Sequence, residues 1–347
     1  MESAIMKALV FYEHGGLEQL QYTDRPEPVV GPHEALVQVK AVALNHLDLW
    51  VRAGIPGLKL ALPHIGGSDI AGVVAAAGEE VDQAWVGRRV VINPALSCGR
   101  CEFCLAGEQC LCVRFQILGE HTPGGMAEYA VAPATNLYAI PDDFPFTEAA
   151  TVPLPFQTAW RALIGQARLR AGERVLILGA GGGVATAAIQ IAKLAGAYVY
   201  AVTSTEEKEQ RARDLGADET INYRQTDFAK EIWQRTNKRG VDVVMENVGP
   251  ATWKGSLRAL RKGGRLVTYG ATTGRFAETD LNLLFWNQPS LIGSTMSTYA
   301  EFAEVMGLVF SRTLHAVVDR VLPLSEGAEA QRILEAGEQF GKLVLEP

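Results

Sequence analysis

At 347 residues the chain is about twice the size of a usual single domain, so two domains are the starting expectation. With 32 Lys and Arg against 39 Asp and Glu, its net charge of -7 makes it a poor binder of nucleic acid or anionic membrane, which need cationic surface. A composition 48% hydrophobic and 20% charged excludes disorder, and the longest apolar runs fall far short of the ~18 residues that span a bilayer. The opening residues run straight into KALVFY without the charged, apolar and small-residue order of a signal peptide, so a cytoplasmic location is expected.

Residues 1–135 are rich in short β patterns. KALVFY, EALVQVKAVAL, GVVAAAG and RRVVINP carry β-branched or apolar residues between Gly, Pro and charged turns, as a compact barrel-like fold needs. All five cysteines then fall between Cys98 and Cys112. A disulfide framework would spread them along the chain, whereas clustering points to metal. Cys98, Cys101, Cys104 and Cys112 have the spacing C-x2-C-x2-C-x7-C, leaving Cys110 over. Four thiolates wrap one tetrahedral ion, and a closed all-sulfur shell favours a structural zinc with no place for water. An iron-sulfur cluster is the alternative, but its bacterial signature ends in Cys-Pro, which this loop lacks. A metal-free loop is the remaining reading.

Pro141, Pro145, Pro153 and Pro155 mark a hinge at which the rhythm changes. Strand and helix patterns then alternate: RVLILGA, a helix to Leu194, AYVYAV, a helix over Glu206–Leu215, INY, a helix around Phe228–Thr236, VDVVMENV, a helix near Trp253–Arg261, and RLVTYGA. Such βαβ alternation predicts a doubly wound parallel sheet, α/β in class. From about Tyr299 a helix, VVDRVLPL, another helix and GKLVLEP read as β pieces returning to the first domain. The predicted domains are 1–154 with 299–347, and 155–298.

The run Gly179-Ala180-Gly181-Gly182-Gly183-Val184-Ala185 stands between the strand Arg174–Leu178 and an amphipathic helix. Small residues there let a pyrophosphate approach the unpaired amides of the helix N-terminus, and Ala185 lets helix and strand pack closely. Within a βαβ unit this is a strong dinucleotide signal. An NAD enzyme usually carries Asp or Glu about 20 residues further on, for the ribose hydroxyls. This chain has Ala201-Val202-Thr203-Ser204-Thr205, with no carboxylate until Glu206. The hydroxyls of Thr203 and Ser204 with the cation Lys208 suit a 2′-phosphate, so NADP(H) is favoured over NAD(H). Asn247, Tyr269, Gly270 and Ala271, in VDVVMENV and RLVTYGA, are assigned to the cofactor as well.

The glycine turn, the four-cysteine loop and NHLDLWVRAGIPGLKLALPHIGGSDIAGVV together resemble the medium-chain dehydrogenase/reductase superfamily, across nearly the whole chain and in the family's motif order. The resemblance implies a GroES-like β-barrel catalytic domain, a Rossmann coenzyme domain and a substrate cleft between them. It implies that the four cysteines hold the structural zinc of the alcohol dehydrogenase branch. It also implies that Lys208 and Tyr223 lie at the adenosine phosphate, as in the quinone oxidoreductase branch, and that His46 lies toward the coenzyme pyrophosphate, where an imidazolium would serve. Homodimers or homotetramers are expected, with SLIGSTM extending the coenzyme-domain sheet across a twofold axis.

The departures bear on the chemistry. Where zinc alcohol dehydrogenases place three ligands of a catalytic zinc, this chain has Asn45, Ser68 and a position near Leu154; Leu47 and Trp50 replace the substrate hydroxyl and relay histidine. Asn, Ser and Leu are not a zinc donor set, so no catalytic zinc is expected. His46, Asp48, His64 and Asp69 are the substitute donors to weigh. His46 and Asp48, two residues apart, do not share a face, and His64 reads as an ordinary loop histidine. Without that Lewis acid, reduction of an enone, quinone or enoyl compound is favoured over that of a simple carbonyl, because the developing charge is delocalised. Asn45 is the candidate to hold substrate or nicotinamide, Thr158 is placed under the nicotinamide by family position, and Asp48 braces the site. A zinc-dependent alcohol dehydrogenase with unconventional ligands is the alternative enzyme, and a coenzyme-binding sensor the non-enzymatic one.

Overall fold

The computed structural model describes residues 4–347. The chain divides into two compact units, Met1–Leu154 with Thr298–Pro347, and Pro155–Ser297. Thr298 goes with the first because it caps the helix Tyr299–Phe310. Its hydroxyl accepts from the Glu301 N–H at 3.1 Å, and the Glu301 carboxylate accepts from the Thr298 N–H at 2.8 Å. This reciprocal box satisfies donors that a helix start otherwise leaves open.

The first unit is β-rich. Its seven-stranded sheet runs Leu137–Ala139, Arg89–Ile92, Asp69–Ala77, Glu34–Ala43, Lys342–Glu346, Val318–Pro323, with Tyr129–Pro133 also on Glu34–Ala43. The strand Glu34–Ala43 is shared along one edge: residues 34–38 pair with Tyr129–Pro133, while Val42 and Ala43 pair with Leu345 and Val344. The core beneath it is Val37, Val39, Val42, Ile70, Val90, Ile92, Met126, Leu343 and Leu345. The returning tail thus supplies two strands and, with Leu324, Ala330 and Ile333 beside Leu343 and Leu345, five core side chains. A smaller sheet joins Gln21–Pro26, Ile5–Phe11 and His64–Ile65.

In the second unit six strands are all parallel: Arg174–Ile177, Tyr198–Thr203, Glu219–Asn222, Val241–Glu246, Leu260–Thr268 and Ser290–Gly293. Their spatial order is third, second, first, fourth, fifth, sixth. This is the doubly wound Rossmann order, whose ligand crevice lies past the carboxyl ends of the first and fourth strands. Val241–Glu246 is buried at every residue, as a central parallel strand requires.

Three local readings change. The helix expected near Trp253–Arg261 spans Pro250–Ala259, because Pro250 suits a first helical position and Leu260 already opens a strand. The proline hinge is partly helical: Pro145 caps Phe146–Ala149 and Pro153 starts Pro153–Trp160, positions where a missing N–H costs nothing. His64 is no loop histidine; it is 2% exposed in a strand pairing with Phe11. Among the described residues no helix is long and apolar enough to cross a membrane.

Candidate active site

The four cysteines converge. Their Sγ atoms all lie within 4.8 Å of one another, Cys98 to Cys104 at 4.0 Å and Cys101 to Cys104 at 3.5 Å. Sulfurs bound tetrahedrally to one zinc at about 2.3 Å stand about 3.8 Å apart, so the set fits that ion. The N–H groups of Cys98 and Arg114 each donate to Cys112 Sγ at 3.3 Å, which suits a thiolate. Backbone N–H groups, that of Arg100 foremost, hold the Cys98 thiol below its usual range, while burial pushes Cys112 up. Cys110 is buried but outside the cluster. Among the described residues this is the only group of three or more His, Cys, Asp or Glu side chains close enough to share an ion.

In the second unit the chain leaves Arg174–Ile177 through Gly179, at φ +62°, a conformation glycine adopts without strain. The Ala180 N–H is tied to Val202 O at 2.9 Å, and the helix Gly183–Leu194 then starts from Gly182 with no side chain capping it. Its first amides are therefore left for an anion. Gly181, Gly182, Gly183 and Val184 are half-buried, and Ala185 packs inward at 2% exposure. Asn247 reaches this turn from the neighbouring strand: a Cβ on Gly179 would stand 3.7 Å from Asn247 Oδ1. Gly270 and Ala271 lie alongside, a Cβ on Gly270 falling 3.5 Å from Asn247 Cβ. Asn247 Oδ1 and Tyr269 Oη are buried without a hydrogen-bond partner, and burial pushes the Tyr269 pKa up. Unpaired buried polar atoms around an open helix start are what a dinucleotide site presents.

At the carboxyl end of the second strand, Thr203 O accepts from the Tyr223 N–H at 3.0 Å, placing the half-exposed Tyr223 beside Thr203 and Ser204. Thr205 caps the next helix, its hydroxyl accepting from the Lys208 N–H at 3.2 Å. Thr158 is buried in the same unit, its hydroxyl 3.9 Å from Met296 Sδ.

The polar centre of the first unit surrounds the start of the helix His46–Ala53. Asp48 is buried; its carboxylate accepts from the Asn45 N–H at 2.7 Å and the Gly67 N–H at 2.9 Å, and burial raises its pKa to about 6. It braces two backbone segments. The Asn45 side chain is held inside: Nδ2 donates to Asp69 Oδ2 at 2.9 Å, and Oδ1 accepts from Lys342 Nζ at 2.6 Å. Lys342 also bonds Asp69 Oδ2 at 2.8 Å, and the Leu154 N–H donates to Asp69 Oδ1 at 2.6 Å. Beside this network Ser68 Oγ is buried and unpartnered. His46 is half-buried with its ring 4.9 Å from that of Trp50, and burial lowers its pKa.

Lys342 is the residue that sequence reasoning missed. GKLVLEP reads as a strand, and nothing in it marks a lysine that pairs with residues 273 and 297 positions away. Glu120 was missed as well: with only 13% of its side chain exposed, burial raises its pKa to about 7. A carboxyl whose folded pKa lies above its unfolded value of about 4.3 stabilises the fold below that unfolded value, and the contribution is lost as pH rises through about 7. Glu120→Gln is therefore expected to raise the melting temperature at pH 8 and to leave it near wild type at pH 4.5; an equal shift at both pH values would rule this out.

Comparison with known proteins agrees with this anatomy. Residues 31–142 match the alcohol dehydrogenase GroES-like domain, and residues 183–311 match the zinc-binding dehydrogenase family. A zinc-type alcohol dehydrogenase-like protein of Schizosaccharomyces pombe is 32% identical over 98% of this chain and 99% of its own. Human quinone oxidoreductase is 30% identical over 98% of each. A solved structure described as an NAD-dependent alcohol dehydrogenase is 46% identical, covers 99% of this chain and 100% of its own, and superposes with a TM-score of 0.94. A GroES-like domain and a Rossmann sheet with an open glycine turn make this an NAD(P)-dependent oxidoreductase. The chain belongs to the medium-chain dehydrogenase/reductase superfamily.

Proposed function

We propose that the enzyme reduces activated alkenes or quinones by hydride transfer from NAD(P)H, with one structural zinc on Cys98, Cys101, Cys104 and Cys112 and no catalytic zinc. The observation that carries this reading is the Lys342–Asp69–Asn45 network. An ammonium already sits on the two oxygens nearest to a ligand set, so a divalent cation there would meet a fixed positive charge instead of free donors.

When bound, the reduced nicotinamide supplies a hydride to the electron-poor carbon. The protein's part is placement and charge. The amides of Gly183 and Val184 would receive the pyrophosphate, the Gly182 N–H being held by Gly179 O at 2.8 Å, and Asn247 lies beside Gly179 with Gly270 and Ala271 against 247–249. Thr158 would stand at the nicotinamide. Lys342 and Asp69 fix the Asn45 amide, whose second N–H is left to meet the oxygen on which charge develops. Solvent supplies the proton.

The experiment is zinc content on chelator-washed enzyme, followed by NADPH and NADH turnover with enones, quinones and simple alcohols. One zinc per chain with enone or quinone turnover supports the reading. Two zincs with fast alcohol oxidation would replace it with the second reading, an alcohol dehydrogenase, which the name of the 46% identical structure favours.

For the cofactor, Thr203, Ser204, Lys208 and Tyr223 favour a 2′-phosphate, while that same name favours NAD. Lys208→Ala is expected to lower kcat/KM for NADPH about tenfold, the worth of one charge-assisted hydrogen bond, and to spare NADH. Equal losses with both cofactors would remove Lys208 from the specificity site. The strand Ser290–Gly293, at the sheet edge with Leu291 exposed, is proposed to pair with its copy, which gives a species of at least twice 37.5 kDa.

A further inference from the structure

We propose that Glu246 is a positioning residue for the dinucleotide: its carboxylate shapes the turn that lays Asn247 against Gly179. The proposal rests on the reading of the second unit as the dinucleotide site. Glu246 ends the strand Val241–Glu246 and is 0% exposed. A buried carboxylate is costly unless donors surround it, and here they do. Oε1 accepts from the N–H groups of Val248 at 2.8 Å and Gly249 at 3.0 Å and from Thr252 Oγ1 at 2.8 Å. Oε2 accepts from Thr252 Oγ1 at 3.0 Å and from Ser256 Oγ.

An acid that served only to anchor the helix Pro250–Ala259 would need only the two hydroxyls. Glu246 also curls the chain over 247–249, where Gly249 takes φ +89° and a Cβ would meet Gly274 O at 2.9 Å. The carbonyls turned outward by that curl hold the loop after the next strand. Asn247 O accepts from the Thr272 N–H at 3.1 Å and Val248 O from the Thr273 N–H at 2.8 Å, while Glu246 O accepts from the Tyr269 N–H at 3.1 Å. One side chain therefore sets the segment that borders Gly179, and through it the loop packed behind that segment. The group it delivers, Asn247 Oδ1, is a buried acceptor without a partner. The ribose hydroxyls and carboxamide of a nicotinamide dinucleotide are donors of the kind it lacks.

The test is calorimetric titration of the purified enzyme with NADPH and with NADH, beside melting temperatures. Glu246→Asp, one methylene short, is expected to raise the dissociation constant about tenfold. Glu246→Gln keeps the length and one oxygen for the two N–H groups, and the hydroxyls of Thr252 and Ser256 can turn to accept, so it is expected to stay within about threefold of wild type. Leu257→Ala, a core truncation in the same helix, supplies the comparison: lower stability with dinucleotide affinity kept. In an Asn247→Ala background the further loss from Glu246→Asp should largely vanish, since residues that act as one unit do not add. Gly249→Ala, which disturbs the same turn from its other end, is expected to weaken binding about fivefold or more, and covers the case in which Glu246→Asp does not fold. Wild-type affinity in Glu246→Asp or in Gly249→Ala overturns the proposal. So does a Glu246→Gln loss as large as that of Asp, or a loss that only tracks the melting temperature set by Leu257→Ala. Failure of the wild type to bind either dinucleotide is a different result, and it defeats the functional reading itself.

Discussion

Replacing Lys342 with alanine is expected to lower the melting temperature by about 10 °C. Lys342 is 4% exposed and Asp69 0%, and the ammonium meets both Asp69 Oδ2 and Asn45 Oδ1. Removing one partner of a buried pair leaves the other charge unpaired in the interior, which costs about 3–5 kcal/mol. In a unit of roughly 200 residues each kcal/mol moves the melting point by about 2–4 °C. The pair as a whole is worth far less than its broken half, because desolvation offsets most of the attraction. The double variant Lys342→Met with Asp69→Asn should therefore recover most of the lost stability, measured by calorimetry in the same buffer. If the double variant is as unstable as the single one, the ion pair is not the source of the loss. The double variant also frees the Asn45 amide to rotate, so its kcat should stay low even where its stability has returned.

The second large effect is at the cysteines. Cys104→Ser is expected to reduce bound zinc from one per chain to none, because a closed four-sulfur shell has no spare donor. Cys104 has the Cys98 and Cys101 sulfurs at 4.0 and 3.5 Å. The loop 98–112 holds little regular structure beyond Glu102–Leu105 and Gln109–Leu111, so a metal shared by its cysteines would supply much of its order. The variant should lose about 10 °C or more of melting temperature and become protease-sensitive within the loop, while the separate unit Pro155–Ser297 keeps its dinucleotide affinity. Retention of zinc in Cys104→Ser would mean that the ion is held by a different set.

These two sites differ in how far the sequence disclosed them, and the reason is range. The cysteine ligands lie within 15 residues, so spacing alone carries their geometry. The glycine turn is local too: strand, turn and helix follow one another, and Arg174–Ile177 and Gly183–Leu194 fall close to where the pattern puts them. Asn247 reaches Gly179, and Gly270 reaches Asn247, only through sheet order, which the resemblance supplied and the residues alone did not. Lys342 with Asn45 and Asp69 lay beyond both. No periodicity links position 342 to position 45, and a Gly-Lys before an apolar run reads as an ordinary strand start. The same limit applies to Glu246 and Glu120, whose meaning comes from what surrounds them. Asn45 illustrates the converse: its place at the site was legible, but the bonds that hold its amide inward were not.

The discontinuous first unit has a consequence for synthesis. On a ribosome, residues 34–77 emerge with Asp69 and Asn45 in place, yet Lys342 and the strand Lys342–Glu346 follow only after all of Pro155–Ser297 has been made. The second unit carries its six strands in one contiguous stretch and can fold while the nascent first unit still lacks a core strand and the cation for its buried acid. Once Tyr129–Pro133 has covered residues 34–38, the first unit keeps an open edge at Val42 and Ala43 until the tail emerges. That is the stage at which the chain most needs protection from its own copies, and a chaperone that binds exposed strands would find its substrate there.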